Sequence, residues 1–100
     1  MAEAVDHAEH RRRARQRAAQ RLERAVDRER DAIALHEHAA AFHQTIAAEL
    51  DDAALTVADS AQADQLRRRA ATERDLADGA TGRAAGVRAR LAAGGVAHDR

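Results

Sequence analysis

The sequence predicts an all-α protein, a long antiparallel helical hairpin, on three observations. Proline is absent, the five glycines all fall between residues 79 and 95, and 29 of the 100 residues are Ala. Ala, Arg, Leu, Glu and Gln lose little side-chain freedom in a helix, so stretches built from them favour it strongly. One break before the glycines divides the chain into two helices.

Helix 1 is expected over residues 3–57, where no helix breaker occurs. "LTVADSAQADQL" (55–66) supplies the turn, over residues 58–60. Thr56, Asp59 and Ser60 can each satisfy orphan backbone groups, and Asp59 or Ser60 followed by "AQAD" reads as a helix start. Helix 2 follows over 61–93, either continuing through Gly79, Gly82 and Gly86 or kinked or broken near Gly79. Gly79, Gly82 and Gly86 would each cost about 1 kcal/mol relative to Ala in a helix interior. Residues 1–94 make one hairpin domain, and 95–100, within "GGVAHDR", are expected to fray.

Stepping about 100° per residue separates two stripes on helix 1. Leu35, Ala39, Phe42, Ile46, Leu50, Ala53 and Val57 form a compact apolar one. Beside it run His36, Ala40, His43, Ala47 and Ala54. Helix 2 matches with Ala63, Leu66, Ala70, Ala77, Ala84, Val87 and Leu91, interrupted by Glu73. The expected packing sets Leu35, Ala39, Phe42, Ile46, Leu50 and Val57 against Leu66, Val87 and Leu91. The Ala/His stripe then needs another helix, which a dimeric four-helix bundle or coiled coil would supply. Only 16 residues are apolar and larger than Ala, so the core is thin and a homo-oligomer is expected.

Zero net charge hides segregation. Residues 1–30 carry nine Arg against six acids, residues 31–66 seven acids and no Arg, and residues 67–100 eight Arg against four acids. Folded as a hairpin, both basic segments reach the open end. Arg67, Arg68 and Arg69 are then expected to face Asp51 and Asp52 near the turn.

Within the first segment, "RRRARQRAAQRLERAVDRER" (11–30) places Arg17, Arg21, Arg24 and Arg28 at i, i+4, i+7 and i+11. This basic stripe holds the angular position that Leu35, Phe42 and Ile46 take further along. It suits anion or nucleic-acid contacts on phosphate. Against this, Glu23, Asp27 and Glu29 are interspersed, no Trp or Tyr is present to stack a base, and net charge is zero. Arg replaces Lys entirely, and the Ala and Arg usage resembles that of small helical proteins from GC-rich bacteria. That is a compositional resemblance and implies no activity.

The histidines of "LHEHAAAFHQ" (35–44) do not make a chelate. His36 and His38 point to different sides, while His36 and His43 share a face about 10 Å apart. No Glu-x-x-His occurs, which removes a di-iron carboxylate bundle. Glu3, His7 and His10 are better spaced for a metal, with Asp6 near and His98 at the same end of a hairpin, but a solvated terminus is the plainer reading. His36 and His43 border the apolar face, where protonation would place charge beside an interface, so they are candidates for a pH switch.

Catalysis finds few groups. There is one Ser, no Cys, Lys or Tyr, and the Asp51/Asp52 pair has no apolar surroundings. No cofactor is expected. No apolar run approaches a membrane span, and "MAEAVDHAEH" lacks the core of a secretory signal, so the cytoplasm is the expected compartment. The functional expectation is a non-enzymatic, self-associating interaction or scaffold protein, with a protein partner open. The alternative is a nucleic-acid-binding protein using the Arg face, and third comes a metal-binding or pH-responsive bundle.

Overall fold

The computed structural model describes residues 2–98, and side chains over 2–94. Two antiparallel helices, α1 (Ala2–Thr56) and α2 (Ser60–His98), are joined by residues 57–59. No strand occurs among the described residues. The hairpin is a rod of 88 × 21 × 13 Å with a radius of gyration of 24.1 Å. A compact 100-residue domain would have about 13 Å.

The turn is closed by side chains rather than by glycine. Among the described residues no backbone φ is positive. Asp59 caps α2: its Oδ1 accepts the Ala61 N–H at 2.8 Å, and its carbonyl accepts the Ala63 N–H at 3.0 Å. At the other side Thr56 Oγ1 donates to the Ala53 carbonyl at 3.1 Å, satisfying one of the last acceptors of α1. The turn therefore lies at 57–59, within a residue of the expected place.

Helix 2 takes the continuous course of the two. Gly79, Gly82 and Gly86 all lie within α2, which also runs past residue 95 to His98. Residues 99 and 100 of the expected frayed tail lie outside the described residues. Helical propensity is a weak term of about 1 kcal/mol per Gly, and packing against α1 outweighs it.

That packing follows one heptad register. Ala40, Ala47 and Ala54 are buried on α1; Ala63, Ala70, Ala77, Ala80, Ala84 and Val87 are buried on α2. With a at Ile33, Ala40, Ala47 and Ala54, the half-buried d positions are His36, His43, Leu50 and Val57. On α2 the a positions are Ala63, Ala70, Ala77, Ala84 and Leu91, and d holds Leu66, Glu73, Ala80 and Val87. Knobs this small let the backbones come close: Cα atoms of the two helices approach within 8 Å.

This reverses the expected order of the two stripes. The Ala/His stripe faces α2, while Leu35 and Phe42 remain 68% and 62% exposed. Ala39 and Ile46 are half-buried at its edge. Leu50 and Val57 occupy d positions and are half-buried, as are Leu66 and Leu91, and Val87 is buried. An alanine seam on α2 fits most closely against another alanine seam. A Leu/Phe stripe would hold the helices apart and leave the α2 alanines without neighbours.

Substituting Ala70, which is 0% exposed, by Leu should therefore destabilise the hairpin by about 1–3 kcal/mol. A Cβ added at Gly82 meets nothing within 4 Å. Gly82→Ala should stabilise it by about 1 kcal/mol. Thermal melts followed by circular dichroism at one fixed protein concentration check both signs.

Candidate functional site

The two long edges of the hairpin differ in character. Asp51 pairs with Arg74 and Glu37 with Arg88 across the helices. All four are e positions, so these ion pairs zip one edge. The expected partners of Asp51 do something else. Arg67 binds Asp64 on its own helix at 2.9 Å, and Arg74, one heptad further on, takes Asp51.

The opposite edge, built from g positions, is apolar in its middle. It carries Ala25, Ala32, Ala39, Ile46 and Ala53 on α1, while α2 contributes Leu76, 46% exposed, between the exposed Arg69 and Arg83. Next to it on α1 stand the c positions Leu35 and Phe42. Ala32, Leu35, Ala39, Phe42 and Ile46 thus repeat at 3-4-3-4 spacing, a second seam of coiled-coil form. It lies about 100° around α1 from the seam that α2 covers. The Phe42 ring leans on His43, edge to face with centroids 5.6 Å apart.

Following the same outward face in both directions changes its chemistry. Toward the N-terminus it becomes Arg28, Arg24, Arg21 and Arg17, all exposed. Toward the turn it becomes Glu49 and Asp52, also exposed. The Arg stripe expected from the sequence therefore exists as one face. Much of it lies on the part of α1 that α2 scarcely covers. Helix α1 has 55 residues against 39 in α2, and residues 9–24 are exposed without exception.

Two of the polar groups in the covered seam meet. His43 Nδ1 lies 2.5 Å from Glu73 Oε2, both side chains about three-quarters buried. The polar interruption in α2 thus meets the polar interruption in α1, a pairing visible in the sequence only once the Ala stripes are set face to face. His36, the other half of the expected switch, is half-buried one heptad away. Glu29, at a d position near the open end, is less well served. Its Oε2 is shielded from solvent without a hydrogen bond, and Arg90 Nη2 stands 3.7 Å away, close enough for charge attraction only.

No group of three His, Asp or Glu side chains among the described residues is placed to hold a metal ion. Glu3, His7 and His10 lie on the overhanging start of α1 and do not form such a group. The His98 side chain lies outside those described. Among the described residues no helix is long and apolar enough to cross a membrane. No protein-family model, curated protein or solved structure matches the chain.

Replacing Glu29 by Leu removes an ill-satisfied carboxylate and extends the seam toward Leu22. The variant should be more stable than the parent by about 1 kcal/mol, read as a higher denaturant midpoint.

Proposed function

We propose that the protein is a non-enzymatic, self-associating helical module of the cytoplasm, whose outward α1 seam is its working surface and whose assembled form is a dimeric four-helix bundle. The observation that carries this reading is the exposure of Leu35 and Phe42 on a seam with coiled-coil spacing. An isolated exposed Leu is ordinary, but a periodic row containing the chain's one Phe is not. The angle of about 100° between the two seams of α1 is close to what a helix needs to touch two neighbours in a four-helix bundle.

Surface area argues the same way. The chain exposes 7758 Å². A compact monomer of its mass would expose about 5,500 Å². The excess is more than the roughly 800 Å² that each partner buries in a standard interface. Side-by-side association of two rods along the outward seam covers the most apolar part of that excess. As a scaffold, the bundle would offer its charged outer edges and arms to further partners.

A second reading rests on the exposure of Arg17, Arg21, Arg24 and Arg28 along one face. A basic helix face of this kind can follow a nucleic-acid backbone.

Sedimentation across a range of concentrations tests the first reading. The parent should pass from hairpin to dimer, and Phe42→Asp should stay monomeric with its helicity unchanged, because Phe42 contributes little to the hairpin itself. A helical Phe42→Asp variant that sediments like the parent would refute this surface. Fluorescence anisotropy against labelled DNA and RNA tests the second. Binding that weakens steeply with salt, and less steeply once the four arginines are replaced by Gln, would support it; no binding at low salt would end it.

A further inference from the structure

The outward face of α1 is complementary to itself in one orientation only. Along the chain it reads basic at Arg24 and Arg28, apolar at Leu35 and Phe42, and acidic at Glu49 and Asp52, with Asp31 and His38 in the same row as Arg24 and Asp52. Reversed, it reads acidic, apolar, basic. Two copies side by side and parallel would put Arg on Arg and carboxylate on carboxylate. Two antiparallel copies put each basic end on an acidic one.

The spacing sharpens this. The midpoints of Arg28 and Glu49, of Leu35 and Phe42, and of Arg24 and Asp52 all fall at residues 38 to 39. Two pairs of opposite charge and one apolar pair therefore share one centre, Arg28, Leu35, Phe42 and Glu49 being successive c positions and Arg24 and Asp52 lying at f. That centre lies beside Ala39, a small g residue that lets two helices approach closely.

Resting on the self-association proposed above, we infer that the partner is a second copy of this chain, paired α1 to α1 and antiparallel about a two-fold axis near His38 and Ala39, with Arg28 and Arg24 of each copy on Glu49 and Asp52 of the other. The interface is isologous, so it closes at two copies. It assigns the inner half of the Arg stripe to a carboxylate partner rather than a phosphate. Arg17 and the arm before it, continuing past the partner's turn at 57–59, stay outside the contact.

Spin labels on single cysteines test the geometry, since the chain has no cysteine of its own. In the full-length dimer, His38→Cys should give an inter-label distance below about 25 Å, and Ala18→Cys one on the order of 60 Å, from the rise of an α-helix. Short distances at both sites would mean a parallel pair and overturn the inference. Charge reversal is the second arm. Arg28→Glu or Glu49→Arg alone should raise the dimer dissociation constant about tenfold, and the double variant should restore it. A double variant no better than either single one would overturn the pairing. Mass that keeps growing beyond a dimer would replace the closed pair by an open chain. A parent that stays monomeric would instead defeat the self-association reading itself. A dimer with long distances at His38→Cys defeats only the two-fold register.

Discussion

The close approach of two alanine seams is the interaction from which the other features of this hairpin follow. Buried alanines at seven-residue intervals on both helices let the backbones come within reach of each other along a narrow line. An alanine side chain contributes little burial on its own, but it loses no rotamer entropy on packing. Dispersion attraction between two closely set helix backbones takes the place of the attraction that larger side chains would have supplied. The cost is a core only one layer thick. Among the residues whose burial is described, none of the larger side chains is fully enclosed, and the molecule remains a rod.

A seam this narrow leaves the larger apolar residues of α1 out of the hairpin. Only positions a and d of each heptad reach the partner helix, and on α1 these are mostly Ala and His. Leu35 and Phe42 fall at c, where α2 cannot reach them. The edges of the hairpin then take on separate tasks. The e edge holds the register by charge, through Asp51 with Arg74 and Glu37 with Arg88. Exposed ion pairs of this kind contribute little stability, but they penalise wrong registers, in which like charges would meet. The g edge carries no such zip in its middle: its α1 side is apolar, and α2 sets Leu76 between Arg69 and Arg83.

Most of the fold was legible in the sequence, and the reason is composition. With no proline and with glycine confined to one stretch, only one place could turn, and Asp59 there did what a capping residue is expected to do. The glycines left the course of α2 open. Each weakens a helix locally, but α2 stays whole because its alanines are fixed by α1. The choice between the two stripes of α1 is not legible from apolar size, a poor guide when the facing helix offers mostly alanine. The usable signal was the match between helices: Ala40, Ala47 and Ala54 repeat with the same period as Ala63, Ala70, Ala77 and Ala84. The lone polar residue inside the α2 stripe, Glu73, likewise answered to His43 on α1. The Arg stripe was visible as a periodicity, but whether it faced α2 or solvent depended on the stripe choice.

That stripe choice also changes how the charge segregation is understood. Had α2 covered Leu35 and Phe42, the arginines in line with them would have run along the edge of a finished hairpin. Because α2 takes the alanine seam, Arg24, Arg28, Leu35, Phe42, Glu49 and Asp52 stay along one face that none of the described residues covers. A face that changes from basic through apolar to acidic has a direction, and a directional face distinguishes the two ways a copy of itself can lie against it. Burial of the apolar centre favours association in either direction, since it depends on area alone. The charges at the two ends are what can select between them, at little gain in affinity but with a large penalty for the wrong orientation. In this protein the alanine seam and the charged stripe therefore act in sequence: the first decides which face is left outside, and the second decides how that face can be met.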